Sequence, residues 1–318
     1  MKPSYPQPSS STLTLTLFLL PLFLLALIFL LVYPNESKLQ AGPATDCSRS
    51  SSVLHDAFTY GITVKPDLRL LIGILTLPDS YERRQLVRHA YSLGQPAHAA
   101  HVDVRFVFCN LTKEEQRVLV GLEIMQYDDI IILDCQENMD GGKTYTFFSS
   151  LPRLFADAPY DYVMKTDDDT YVRVANLVGA LNSKPRESLY FGLMTPCFGV
   201  HSENRYMSGL GYVLSWDLVE WISKSDVARE HQTGPEDLVT GRWFKEGGRS
   251  VQMYDATPAI YDYMEMPYMC YRHEFIPETI AVHKLKGNLR WARTLQYFNV
   301  TEGIKPSNLY HLSLSKKK

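Results

Sequence analysis

The longest apolar run in the chain lies near its start. Leu13 to Tyr33 is almost wholly hydrophobic, and no charged residue occurs between Lys2 and Glu36. At about 1.5 Å of helical rise per residue, a run of some twenty residues crosses a hydrocarbon core of roughly 30 Å. The apolar part of a cleavable signal peptide is shorter, about 7–15 residues, so the pattern predicts an uncleaved transmembrane signal-anchor over 13–33. Residues 1–12 then form a Pro/Ser-rich cytosolic tail. Residues 34–66, with Pro34, Gly42, Pro43 and the serine-rich stretch from Ser48 to Ser52, read as a stem that leaves the bulk of the chain in the lumen.

From residue 67 the texture changes to short apolar runs separated by helical patterns. Leu68 to Leu77 is too continuously apolar for a one-sided strand and predicts a central strand buried on both faces, ended by Pro78. Asp79 to Arg88 predicts a helix, Val102 to Cys109 a strand, Lys113 to Ile124 a helix and Ile130 to Asp134 a third strand. Tyr162 to Met164 reads as a short buried strand, Val174 to Leu181 as a helix and Ser188 to Leu193 as another strand. Asp217 to Lys224 and Leu238 to Phe244 read as helices. Gly209 and Gly211 are expected in a loop ahead of a short strand, where backbone passes close to a ligand. Alternating strands and helices imply an α/β fold over 67–300, a mostly parallel sheet flanked by helices, with a solvated tail over 301–318.

Composition narrows the function classes. With 45% hydrophobic residues and a net charge of -3 over 318 residues, the chain buries one substantial core or two small ones. Lys+Arg 32 against Asp+Glu 35 gives no electrostatic footprint for nucleic acid, while 20 Tyr offer faces on which a sugar or base stacks. Asn35-Glu36-Ser37, Asn110-Leu111-Thr112 and Asn299-Val300-Thr301 are glycosylation sequons, which agrees with a lumenal placement. Five cysteines allow up to two disulfides of undetermined connectivity, and no Cys-x-x-Cys pair points to zinc.

The candidate chemistry centres on Tyr160 to Arg173, where the predicted strand delivers Asp167, Asp168 and Asp169 to its C-terminal end. Three adjacent carboxylates repel one another, and a hard divalent cation or a positive ligand removes that cost; an acidic turn that caps a helix needs only one of them. Arg84 and Arg88 share one helix face and suit a phosphate, or a solvated surface. Gly141-Gly142-Lys143-Thr144 fails as a phosphate loop because Glu137 stands where the first glycine belongs, which leaves Lys143 opening a helix. Glu236 and Asp237 sit in the first turn of a helix, and His283 ends a short apolar run.

Five stretches in this order resemble the galactosyltransferase-type glycosyltransferases of family 31. They are Arg83-Arg84-Gln-Leu-Val-Arg88, Tyr127 to Asp134 with Lys143-Thr144, Met164-Lys165-Thr-Asp-Asp-Asp169-Thr-Tyr-Val, Tyr206 to Ser215, and Glu236-Asp237-Leu-Val-Thr-Gly241. Ala90 and Tyr91 stand where that family usually has Thr and Trp, and the Gly-Gly-Lys-Thr form is similar to plant members. The resemblance implies a GT-A domain with a mixed, mostly parallel sheet in a Golgi type II membrane protein. The implied reaction moves a hexose, with galactose favoured, from a UDP-sugar to a glycan or glycoprotein acceptor, with inversion and a β-1,3 linkage. It further implies Mn2+ held by Asp169, Asp168 and His283, and a nucleotide near Asp167, Asp168, Arg84, Arg88 and Lys143. Asp237 is the implied general base, with Glu236 in reserve. An N-acetylglucosaminyltransferase and a catalytically silent carbohydrate-binding or scaffold protein of the same fold are the alternatives.

Overall fold

The computed structural model describes residues 68–94, 100–157, 159–197, 205–305 and 308–309. The expected tail, signal-anchor and stem over 1–66 lie outside the described residues, as do Cys47 and most of 301–318. Among the described residues no helix is long and apolar enough to cross a membrane.

A seven-stranded sheet runs through the molecule. Its strands are β1 (Leu68–Leu75), β2 (Ala100–Phe108), β3 (Ile130–Ile132), β4 (Tyr162–Asp167), β6 (Leu189–Thr195), β7 (Tyr206–Ser215) and β8 (Gln252–Asp255), in the spatial order β3-β2-β1-β4-β7-β6-β8. Pairing is parallel except where β7 runs against β4 and β6, so the sheet is mostly parallel, as its strand and helix alternation predicts, and mixed, as the resemblance implies. A second, three-stranded sheet joins β5 (Tyr171–Val172), β10 (Ala281–His283) and β9 (Ile260–Asp262) in the order β5-β10-β9.

The central strand shows why its sequence lacks alternation. Leu68, Leu70, Ile72 and Ile74 enter one buried cluster and Leu71 and Leu75 the other, so both faces of β1 are core. Burying each such side chain contributes about 1.5–3 kcal/mol. Gly73 takes the remaining place on the second face because the Phe147 ring occupies it: a Cβ there would lie 2.2 Å from Phe147 Cζ.

Helices pack on the sheet: α1 (Tyr81–Ser92), α2 (Glu114–Tyr127), α3 (Lys143–Leu154), α4 (Val174–Asn182), α5 (Trp216–Lys224), α6 (Asp226–Glu230), α7 (Glu236–Glu246) and α8 (Asn288–Tyr297). Disulfides join Cys109 to Cys135 and Cys197 to Cys270. The glycine stretch departs from expectation. Gly209 and Gly211 lie inside the ten-residue β7 and not in a loop. The strand needs a glycine at 209 because the Glu236 carboxylate crowds it: a Cβ would stand 2.4 Å from Glu236 Oε1.

Candidate active site

The parallel register sets Asp167, the last residue of β4, beside Leu75 at the end of β1. The following turn is closed by the Thr170 N–H donating to the Asp167 carbonyl at 3.2 Å. Some 110 residues later the chain returns: β10 pairs antiparallel with β5, and the Leu285 N–H donates to the Asp169 carbonyl at 2.9 Å. This return brings His283 over the acidic turn. Its Nε2 lies 3.2 Å from Asp169 Oδ1 and 3.8 Å from Asp167 Oδ2.

Asp167, Asp169 and His283 each offer a ligand atom, and the three atoms fall within 4.8 Å of one another. Two carboxylates and one imidazole form a nitrogen and oxygen donor set that suits a first-row divalent cation and disfavours a soft, thiolate-seeking one. Burial alone would lower the His283 imidazole, but hydrogen bonds with Asp169 and Asp262 outweigh it and raise it to about 9. Burial would raise the Asp169 carboxyl, yet the His283 hydrogen bond prevails and holds it below its ordinary range.

Asp168 does not join this group. Within the turn the Asp168 side chain leaves in another direction and accepts a hydrogen bond from Thr76 Oγ1 at 2.5 Å. Burial pushes its carboxyl up. Asp167, expected near the nucleotide, groups with Asp169 and His283 where the resemblance implied Asp168. Asp168 instead borders a cavity of about 820 Å3, with Ser80, Arg83, Asn288 and Trp291 among its other walls.

The remaining nucleotide-site residues are placed elsewhere. Arg84 is fully buried, pairs with Glu123 at 2.6 Å and donates to the carbonyls of Leu77 and Pro78. Arg88 pairs with Glu123 at 2.7 Å and Asp129 at 2.8 Å. Lys143 is buried between Glu137, 2.8 Å away, and the Thr76 carbonyl at 2.6 Å. All three hold α1, α2 and α3 to the sheet. Arg83 is the arginine that faces the cavity, with its guanidinium over the Trp291 ring and Nη1 donating to the Leu285 carbonyl at 2.9 Å. The signal for this was present: Arg84, Val87 and Ala90 are spaced three apart and form the buried stripe of α1.

Asp167, Gly209, Asp237, Asp262 and His283 border a second cavity of about 390 Å3. Asp237 opens α7 and is oriented by backbone: its Oδ2 accepts from the Gly209 N–H at 3.0 Å and its Oδ1 from the Leu238 N–H at 2.8 Å. Glu236 turns inward. Burial raises its carboxyl to about 7, against the pull of Lys165 2.6 Å away. Lys165 also reaches Asp167 Oδ1 at 2.9 Å and donates to the Gly209 carbonyl at 2.9 Å, so one buried ammonium ties the acidic turn, β7 and α7 together. Tyr91, which replaces the usual Trp, donates to the Thr170 carbonyl at 3.2 Å and accepts from the Val172 N–H at 3.3 Å, bracing the far end of the same turn.

A family model described as galactosyltransferase matches residues 82–196, a span that contains α1, the acidic turn and β6. Hydroxyproline O-galactosyltransferase GALT2 of Arabidopsis thaliana is 25% identical over 202 residues, 58% of this chain and 29% of its own length. Beta-1,3-galactosyltransferase pvg3 of Schizosaccharomyces pombe is 23% identical over 275 residues, 69% of this chain and 71% of its own. Mouse beta-1,3-galactosyltransferase 6 is 27% identical over 197 residues, 55% of this chain and 59% of its own. The chain thus spans less than a third of the Arabidopsis relative. Among solved structures, galactosyltransferase LgtC with donor and acceptor sugar analogs aligns at a TM-score of 0.40 and 11% identity, over 76% of this chain and 98% of its own, a likeness too slight to carry an argument. With the family model on the span that holds the acidic turn, and galactosyltransferases among its relatives, this chain is galactosyltransferase-like and is similar to members of glycosyltransferase family 31.

Proposed function

We propose that the chain moves a hexose, galactose, from a UDP-sugar to a hydroxyl of a glycan or glycoprotein acceptor, with inversion and a β-1,3 linkage, on a GT-A domain. One observation carries this reading: Asp167 and His283 of the grouped acids and histidine border one cavity together with Asp237, while Asp168, next in the chain, borders a second and larger one. The larger cavity has the volume, the aromatic Trp291 and the cationic Arg83 that a nucleoside diphosphate requires. The smaller has room for a sugar and carries an oriented carboxylate.

A divalent ion, Mn2+ in this reading, held by Asp167, Asp169 and His283 supplies Lewis-acid stabilisation of the charge on a departing diphosphate. The protein's own residues do the rest. Asp237 accepts the proton of the acceptor hydroxyl as that oxygen bonds to the anomeric carbon, and the electron pair of the breaking carbon–oxygen bond leaves with UDP. Its two backbone donors hold it in place for this role. Glu236 is engaged by Lys165 and stays in reserve. The apolar segment 13–33 supports a single-pass type II placement in the Golgi membrane with the domain lumenal.

The test is Mn2+-dependent UDP release from a panel of UDP-sugars, with product linkage determined on glycan and hydroxyproline-peptide acceptors. Release with UDP-galactose that disappears in Asp169→Ala supports the proposal. Preference for UDP-N-acetylglucosamine replaces the donor, and sugar binding without turnover across the panel sinks the enzymatic reading.

A further inference from the structure

We infer that Asp262 and Lys284 form a clamp that sets which ring nitrogen of His283 faces the acidic turn, which makes Asp262 a positioning residue for the cation site. The inference rests on the metal reading proposed above. It starts from sheet register: β9 and β10 run parallel with His283 directly beside Asp262, so both side chains emerge on one side of the small sheet. His283 Nδ1 lies 2.8 Å from Asp262 Oδ1, and Lys284 Nζ lies 2.7 Å from Asp262 Oδ2. The Asp262 side chain is 5% exposed, so solvent offers its oxygens little else. The backbone holds the pair still, with the Tyr263 N–H donating to the His283 carbonyl at 2.8 Å and the Asp262 N–H to the Tyr271 carbonyl at 2.7 Å.

A carboxylate only accepts, so Nδ1 must be the nitrogen that carries the proton toward Asp262. Nε2, which points at Asp167 and Asp169, is then the nitrogen that gives up its proton and presents a lone pair when a cation enters. Lys284 makes this requirement strict. Both partners of Asp262 are donors, and each occupies one oxygen. An amide in the same place has one oxygen and one NH2 group and cannot accept from both. In Asp262→Asn the oxygen goes to the ammonium, and the NH2 turns to Nδ1. The ring proton must then sit on Nε2, where it blocks the cation. Removing the ammonium releases the amide oxygen to face Nδ1 and restores the original tautomer.

The experiment is an EPR titration of the full chain with Mn2+ in the presence of UDP, together with pulsed EPR that detects 14N coupling from a directly coordinated imidazole. Wild type takes up Mn2+ and shows the coupling. Asp262→Asn loses the coupling and binds Mn2+ about 10–100-fold more weakly. Lys284→Met alone keeps both properties, and the double variant Asp262→Asn/Lys284→Met recovers the coupling and most of the affinity. This recovery separates a positioning role from simple damage to the fold. Wild-type uptake with an unaltered Asp262→Asn, or a double variant as impaired as the single one, overturns the clamp alone. A wild type that takes up no Mn2+ overturns the metal reading and the clamp with it.

Discussion

Burial decides what each charged residue near the acidic turn can do. Asp169 and His283 face one another across 3.2 Å, and their opposite charges reinforce each other until a cation replaces the ring proton. Because His283 is raised to about 9, Mn2+ uptake at neutral pH must release that proton. Affinity for Mn2+ without nucleotide should therefore rise about tenfold per pH unit up to about pH 9 and then level off, as a calorimetric titration at several pH values would show. The same shift sets the sign for stability. The metal-free fold gains from the protonated ring at a pH below the ordinary histidine range, and this gain disappears as pH rises through about 9. For Asp237, the oriented carboxylate, Asp237→Asn should lower kcat by about 10²–10⁴-fold with KM nearly unchanged, since the amide keeps the shape but cannot take a proton. A variant that turns over normally would move the base elsewhere.

At the level of elements, Lys165 joins three of them. It contacts Asp167 on β4, Gly209 on β7 and Glu236 on α7 from a fully buried position. Lys165→Met leaves two carboxylates facing one another without a counter-ion, which costs about 3–5 kcal/mol for a broken buried pair. Urea unfolding should show this as a lower midpoint with an unchanged slope. A loss below about 1 kcal/mol would mean that the carboxylates find other partners. Gly209 belongs to the same junction. Its sequence suggested a ligand-facing loop, but the residue that approaches it is Glu236, held there by α7. The three arginine and lysine positions expected at a nucleotide became struts for a similar reason: Arg84 and Arg88 found an acid on the neighbouring α2 and Lys143 one in the loop before its own helix, and a paired cation has little left for a phosphate.

Across the whole molecule, the site depends on a long return of the chain. The family-model match over 82–196 ends before α7, β9 and β10, so Asp237, Asp262 and His283 reach the acidic turn from beyond it. The cross-links act at the same scale. Cys109–Cys135 joins the chain just after β2 to the chain just after β3, at the end of the sheet where Glu137 meets Lys143. Replacing both cysteines by serine should cost about 3–4 kcal/mol for a closed loop of this length, read as a drop in thermal midpoint. Loss of activity with no change in midpoint would instead assign the bridge to the site.

Local pattern was enough for β1 to β4, β6 and most of the helices, for the mostly parallel sheet, and for Asp167 to Asp169 at the end of a buried strand, because burial on two faces and helical spacing leave marks within ten residues. The family resemblance, not local pattern, picked out Asp237 and His283 as candidates. Local pattern did not show which carboxylates share a cation site, that Asp168 and Arg83 border the other cavity, or that Asp262 and Lys284 hold the histidine. These outcomes come from strand register and from partners about 20 to 110 residues away. A side chain's direction and its counter-charge are properties of the packed chain, and no short window of sequence contains both members of such a pair.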